Sequence, residues 1–154
     1  MTRASDFKHR VRARMRVTGE TYTAARAALL ASPPPERARH EQQRIVARWF
    51  DDGGRLRAIP ARRKVRVAVL LEILRRFTPG EVLTEAEIGV RLREVHPDVA
   101  FLRRELVGCG YLSRSGGTYR VSTEAPARTA TERRELPVWE RVWLPEFLAG
   151  WASR

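Results

Sequence analysis

Apolar residues recur every three to four positions along most of the chain, which is the spacing of one face of an α-helix. This spacing predicts helices over 6–15, 20–31, 36–50, 62–77, 84–95 and 97–107. The pattern changes to alternation at 55–59, which predicts a short strand. Residues 111–114 and 118–121 flank the Ser115-Gly116-Gly117 turn and predict a β-hairpin. We therefore expect a mainly α protein with a small β-hairpin.

Breaks in the pattern divide the chain into four parts. Gly19 separates the first two predicted helices, and the run Ser32-Pro33-Pro34-Pro35 ends the second, because proline removes a hydrogen-bond donor. Residues 1–32 are predicted to form an N-terminal basic helical hairpin. Residues 33–44 form a linker and the start of a helix. A domain follows over 45–122, and 123–154 form a linker and an aromatic-rich tail.

The order of elements in the domain over 45–122 is strand, helix, helix, helix and hairpin. A capping box at Thr84 and Glu87 marks the start of the second of these helices. Two short helices with a tight connection, followed by a hairpin, indicate a winged helix-turn-helix core. The helix 97–107 would be the recognition helix and the hairpin the wing. The strand 55–59 is predicted to add an edge to that hairpin.

Charge favours a polyanionic partner. The 30 lysines and arginines exceed the 18 acidic residues and give a net charge of +12, which attracts nucleic acid by long-range steering and counterion release. Nearly all of the basic residues are arginine, which is also typical of a high-GC bacterial genome, but that bias does not explain the basic surplus. Residues 123–154 are neutral overall, so a polyanion site is expected before the tail.

The predicted recognition helix has two faces. At 100° per residue, Val99, Leu102 and Leu106 point inward, while Ala100 and Arg104 lie on the opposite face. We expect these two outward residues to enter the major groove, although a solvated surface arginine is an equally common interpretation of Arg104.

A structural role is expected for Arg103, which lies beside the apolar stripe of the same helix. Arg103 is predicted to pair with a carboxylate such as Glu85 or Glu87 and to help hold the domain together.

Further candidate nucleic-acid contacts lie outside this helix. Arg62, Arg63, Lys64 and Arg66 open the helix 62–77, where positive charge opposes the helix dipole and a phosphate would compensate it. An exposed charged turn is the alternative. The candidates at the wing are Arg114, Tyr119 and Arg120. Their contacts would position the protein on the DNA backbone and would not read sequence.

The tail carries large aromatic residues at every fourth position: Trp139, Trp143, Phe147 and Trp151. They are candidates for an interface with a second copy or another protein, since exposed aromatic patches mark interfaces. The alternative is that they fold back as extra core. Pro145 interrupts the pattern, so a single continuous helix is not assured.

Signals for catalysis are weak. The three histidines are scattered, with His96 expected to cap the helix 97–107, and the single cysteine, Cys109, ends an apolar face as a core thiol would. We expect no enzyme activity, no metal and no cofactor. No apolar run approaches the roughly 20 residues of a membrane span, and no secretory signal opens the chain. A cytoplasmic protein that does not bind membranes is expected.

Several blocks resemble the bacterial domain-of-unknown-function family 2087 over about residues 45–122. The segments that carry the resemblance are Trp49 to Pro60, then Lys64, Leu70 and Phe77, Thr84-Glu85 with Glu87-Ile88, His96 with Asp98, Leu102-Arg103-Arg104-Glu105-Leu106-Val107, Gly110-Tyr111-Leu112 with Arg114, and Tyr119-Arg120. The resemblance implies a winged-helix-like domain of transcriptional regulators, often beside a separate helix-turn-helix segment. No such separate segment is visible here.

These observations lead to a DNA-binding transcriptional regulator or accessory factor with a basic winged helix. The alternative is a non-catalytic protein–protein adaptor, in which the winged helix and the aromatic tail dock on another protein. An RNA-binding module is a third interpretation.

Overall fold

The computed structural model describes residues 3–31 and 35–152 and shows a mainly helical protein with one small antiparallel sheet, as predicted. The helices are α1 (Arg3–Thr18), α2 (Tyr22–Ala31), α3 (Pro35–Trp49), α4 (Arg63–Leu74), α5 (Glu85–Arg93), α6 (Val99–Gly108), α7 (Ala130–Glu135) and α8 (Val138–Ala152). The strands are β1 (Val82–Thr84), β2 (Leu112–Ser115) and β3 (Thr118–Val121). The chain divides into two compact units, Met1–Arg37 and Ala38–Arg154.

The first unit contains α1 and α2, which pack against each other, and the first residues of α3. Gly19 joins them with a φ of 72°, a left-handed conformation that glycine adopts without strain. Val11 and Ala25 are fully buried. The predicted helical hairpin is therefore present, with α1 longer than expected. The predicted helix stop at Ser32, Pro33 and Pro34 lies outside the described residues, and Pro35 begins α3, where its missing N–H costs nothing.

The second unit is organised around α4. From Val67 onward this helix is apolar on most of its circumference, so that it is enclosed by other elements. Its buried residues are Val67, Ala68, Val69, Leu70, Leu71, Ile73 and Leu74. Both α6 and α8 pack against it. The core of this unit thus includes the C-terminal helix as well as the predicted domain.

The starts of α5 and α6 are fixed by side-chain caps. Thr84 accepts a hydrogen bond from the Glu87 amide at 3.2 Å, and Glu87 accepts one from the Thr84 amide at 2.7 Å, so the predicted capping box is confirmed. Asp98 caps α6 by accepting from the Phe101 amide at 3.1 Å. His96, the expected cap, instead accepts from the Asp98 amide through Nδ1 at 3.0 Å.

The three-stranded sheet has the order β1-β3-β2, with antiparallel pairing throughout. The predicted hairpin is confirmed, but the predicted strand over 55–59 is wrong, and β1 is the third strand instead. Leu56 forms only an isolated bridge with Phe50, and its amide donates to the Val95 carbonyl at 2.8 Å. Because this backbone hydrogen-bonds to other segments, it does not reach the hairpin.

The C-terminal segment completes the core of the second unit. Leu136, Leu144 and Leu148 are buried in it, and α8 continues through Pro145 without ending. The region beyond residue 122 therefore contributes apolar packing and is more than a linker and tail. None of the described helices is long and apolar enough to cross a membrane.

Candidate nucleic-acid interface

A surface groove of about 440 Å³ lies between α6 and the β2–β3 hairpin. The residues that line it are Ala100, Arg103, Arg104, Val107, Gly108, Arg114 and Tyr119. Four of the residues predicted to contact nucleic acid, Ala100, Arg104, Arg114 and Tyr119, thus come together at one place, although they derive from three elements, α6, β2 and β3. The fold achieves this because β2 follows α6 after only a short turn.

The outer face of α6 is built from small residues around one arginine. Leu102 and Leu106 are buried, so Ala100, Arg104 and Gly108 follow one another at four-residue spacing on the exposed side. Within the part of the chain that the structure describes, the Arg104 guanidinium has no hydrogen-bond or ion-pair partner. This side chain is therefore free to reach an external anion or base edge.

Arg103 has the structural contacts expected from its position. Its Nη1 lies 3.0 Å from Glu85 Oε1, and its guanidinium lies over the Tyr119 ring, 5.6 Å from the centroid. Only 22% of the side chain is exposed. Glu87, the other candidate partner, is used in the capping box. Arg103 therefore connects α6 to the start of α5 and to the sheet.

The prediction that Tyr119 contacts nucleic acid is wrong, because this residue is only 2% exposed. Tyr119 instead supports the arginines of the groove from within the core. The guanidinium groups of Arg103 and Arg114 lie over its ring at 5.6 and 5.7 Å. Arg114 is 59% exposed, and its Nη2 is 4.0 Å from Glu85 Oε2. The ring thus holds two cations at the edge of the groove by cation–π attraction.

Arg120 lies on the other face of the sheet. It is opposite Val82 on β1 and Ser113 on β2, whereas Tyr119 is opposite Leu83 and Arg114. Residues that are directly opposite each other in a ladder share a face, and successive residues alternate. The exposed Arg120 therefore does not line the groove, and it could contact DNA only from the outer side of the hairpin.

The basic residues at the start of α4 are also separate from the groove. Arg62, Arg63 and Lys64 are exposed, and Arg62 occupies the N-cap position without a side-chain cap. None of the three lines the groove.

The prediction that Arg66 contacts nucleic acid is wrong, because its guanidinium is already hydrogen-bonded to other residues of the fold. Its Nε donates to Glu105 Oε2 at 2.8 Å, and its Nη1 donates to the Ala61 carbonyl at 2.9 Å. The side chain is only 22% exposed. We therefore assign Arg66 to the contact between α4 and α6.

A buried polar network that the sequence interpretation missed connects the C-terminal end of α6 to α8. Tyr111 donates to Glu140 Oε1 at 2.5 Å, and Arg128 Nη2 donates to the same oxygen at 2.7 Å and to the Cys109 carbonyl at 2.5 Å. Burial and the neighbouring Glu140 raise the pKa of Tyr111 well above its ordinary value. A signal was present in the sequence, because Glu140 lies four residues from both Leu136 and Leu144, on the apolar stripe of the tail.

Burial also governs Cys109, the one cysteine of the chain. Its thiol is buried, and burial raises its pKa. A raised pKa lowers the thiolate fraction, which is the reactive form. The prediction of a core thiol therefore agrees with its surroundings.

The aromatic residues of the tail pack against the core. Trp139 and Trp143 are stacked with centroids 6.4 Å apart, and Trp143 and Phe147 with centroids 4.6 Å apart. All three are half-buried against the hydrophobic core of the second unit. The side chain of Trp151, the fourth predicted interface residue, lies outside the described residues.

No group of three or more potential metal ligands occurs among the described side chains. Residues 55–121 match the family model described as uncharacterized protein conserved in bacteria (DUF2087). No curated protein and no solved structure matches the chain. The match includes α4, the sheet, α5 and α6, and therefore all of the groove. The family model that the sequence resembles therefore matches residues 55–121 of this chain.

Proposed function

We propose that the protein binds double-stranded DNA as a transcriptional regulator or accessory factor. In this proposal α4 to β3 act as a winged helix, α6 is the recognition helix and the β2–β3 hairpin is the wing. The observation that carries the proposal is the groove, in which Arg104 on α6, without a partner among the described residues, lies beside an exposed arginine of the hairpin.

The dimensions of α6 suit the major groove of DNA. Its 10 residues span about 15 Å along the helix axis. An α-helix with its side chains is about 10–12 Å in diameter, which matches the roughly 12 Å width of the major groove of B-DNA. Ala100 and Gly108 leave the outer face of the helix free of bulky side chains on either side of Arg104. The helix backbone can therefore approach the base pairs closely, and Arg104 can reach a guanine edge or a phosphate.

The surrounding charges favour a phosphate backbone. Arg103, Arg104 and Arg114 bring three positive charges to the groove, and Glu85 is the carboxylate paired with two of them. The excess positive charge lies where α6 and the hairpin would meet the two edges of the major groove. Arg114 is held by the Tyr119 ring, so that less conformational entropy is lost when it binds a phosphate.

The adaptor alternative receives less support from the tail. It requires a docking surface of exposed aromatic rings, whereas Trp139, Trp143 and Phe147 are half-buried against the core. The RNA alternative is also less favoured, because the major groove of an RNA helix is too deep and narrow for an α-helix to read.

Fluorescence anisotropy with a labelled DNA duplex of mixed sequence tests the proposal. We expect affinity to fall with salt at a log–log slope of about −0.9 for each phosphate neutralised. Arg104→Ala should weaken binding by about tenfold. Arg134→Ala, which removes one exposed arginine from α7 outside the groove, should have little effect and controls for net charge.

A duplex RNA of the same sequence should bind more weakly than the DNA. If DNA binding is undetectable at low salt, the proposed function is wrong. Equal losses for Arg104→Ala and Arg134→Ala would also contradict it, because binding would then depend on total charge and not on the groove.

A further inference from the structure

A second cavity of about 450 Å³ lies between α3, α4 and α8 and shares no residue with the groove. Val46 and the indoles of Trp139 and Trp143 form its apolar side. Its charged side contains Arg39, Glu72 and Arg75. This combination of an aromatic wall and a few polar groups, at this volume, is typical of a site for a small organic molecule.

Gln42 is the most unusual residue of this cavity, because a glutamine of only 4% exposure lines it. Its Nε2 donates to the Ala68 carbonyl at 2.8 Å, which fixes the orientation of the amide. Its Oε1 is buried and has no partner within the described residues. An unpaired buried oxygen of this kind destabilises the fold. The Ala68 carbonyl lies within α4 and also accepts the helical hydrogen bond, so Gln42 is not required to satisfy the backbone.

A second unpaired polar atom lies on the wall of the same cavity. The Nε1 of Trp139 is buried and has no acceptor within the described residues. Two of the residues that line the cavity therefore carry, among the described residues, one unsatisfied acceptor, on Gln42, and one unsatisfied donor, on Trp139. A molecule that carries both a donor and an acceptor could satisfy the two atoms after small side-chain adjustments.

The charged residues that line the cavity have a net positive charge, which would attract an anionic ligand. Arg75 Nη1 pairs with Glu72 Oε2 at 3.5 Å. The guanidinium of Arg39 is exposed and has no hydrogen-bond or ion-pair partner in the described part of the chain. Two cations and one anion leave a single positive charge beside the aromatic wall, which complements a monoanion.

We propose that this cavity binds a planar aromatic carboxylate that also carries a hydroxyl or N–H group. The ring packs against Trp139, Trp143 and Val46, the carboxylate binds Arg39, and the polar substituent hydrogen-bonds with Gln42. This site goes beyond DNA binding, and its occupancy can be measured in the absence of DNA.

Calorimetric titration of the full chain with hydroxynaphthoate tests the proposal. Naphthoate, which lacks the hydroxyl, and naphthol, which lacks the carboxylate, are matched comparison probes. We expect saturable binding of hydroxynaphthoate at one site, weaker binding of naphthoate and the weakest binding of naphthol. The loss of a charge-assisted hydrogen bond corresponds to about tenfold or more in affinity.

Three variants test whether hydroxynaphthoate binds in the cavity. Arg39→Gln should weaken hydroxynaphthoate binding about tenfold, whereas Arg134→Gln on α7 should leave it unchanged. Gln42→Leu removes the unpaired oxygen and retains the volume, so we expect weaker binding with an unchanged or higher melting temperature.

Three outcomes would overturn the proposal. The first is the absence of saturable binding for all three probes. The second is a Gln42→Leu variant that melts earlier and binds normally, which would show that Gln42 has only a structural role. The third is an equal loss of affinity in Arg39→Gln and Arg134→Gln, which would indicate attraction to the basic surface in general. None of these outcomes bears on whether α6 binds DNA.

Discussion

The hydroxyl of Tyr111 and the carboxylate of Glu140 form a buried hydrogen bond of 2.5 Å between positions 29 residues apart in sequence. Arg128 binds the same carboxylate and the Cys109 carbonyl, so that three separate segments meet at one point. The network connects the turn before β2 to the C-terminal helix α8.

Removal of the Glu140 carboxylate should strongly destabilise the fold. Glu140→Ala leaves the mostly buried Arg128 cation and the Tyr111 hydroxyl without their partner, and loss of one member of a buried pair costs about 3–5 kcal/mol. Urea denaturation followed by circular dichroism gives the free energy of unfolding. Glu146→Ala on the exposed side of α8 is the control. A loss for Glu140→Ala below about 1 kcal/mol would contradict the structural role of the network.

Tyr111 should make stability sensitive to alkaline pH. Burial, followed by Glu140, raises the pKa of Tyr111 in the folded state above its ordinary value of 10.0. The neutral phenol is therefore favoured by folding, and its contribution is fully present below about pH 10 and lost as the pH rises above it. Urea midpoints across this range should fall more steeply for the native chain than for Tyr111→Phe. Parallel curves would exclude this linkage.

Glu81 should give the opposite dependence at acid pH. The hydrogen bond from Arg91 is the largest cause that lowers the pKa of Glu81, with burial opposing it and the Thr78 amide adding to it. A lowered folded-state pKa means that the stabilisation is present above the ordinary value of 4.5 and is lost as the pH falls through the folded-state pKa. Glu81→Gln should flatten this acid loss in a series of thermal melts. The exposed Glu124 provides the comparison, since Glu124→Gln should retain it.

Substitution of the two adjacent arginines of α6 should affect different properties: one variant should lose stability and the other should lose DNA binding. Arg103→Ala removes the pairing with Glu85 and the contact with the Tyr119 ring, so it should cost about 1 kcal/mol of unfolding free energy. Arg104→Ala removes an exposed side chain that has no partner in the described part of the chain, so it should change stability by less than about 0.5 kcal/mol. Differential scanning fluorimetry and DNA titration of both variants test this. A larger stability loss for Arg104→Ala would show that the roles are reversed.

The parts of the fold that sequence could predict depend on neighbouring residues. The apolar period of α4 and the capping box of Thr84 with Glu87 involve contacts within a few positions, and both are confirmed. The strand over 55–59 failed because alternation shows which residues are buried but not which strand they pair with. The partners of Leu56 are Phe50 and Val95, and the latter lies far along the chain.

In the candidate site, too, features that depend on neighbouring residues could be predicted from the sequence, and features that depend on distant residues could not. The outward position of Ala100 and Arg104 follows from helix geometry alone, and the structure places both in one groove. Arg66 looked like a free cation because its partner Glu105 lies 39 residues away. Tyr119 could not be recognised as buried because its cover comes from Arg103 and Arg114 on two different elements.

The position of Glu140 also determines which fragments of this protein can fold on their own. The family match ends at residue 121, yet the carboxylate that binds Tyr111 and the buried leucines of α8 lie beyond that limit. A fragment cut at the end of the match would expose one side of α4 to water and leave the Tyr111 phenol in an apolar setting without its acceptor. The smallest autonomous fragment of the second unit must therefore include the C-terminal helix, and truncation experiments should be planned with that boundary.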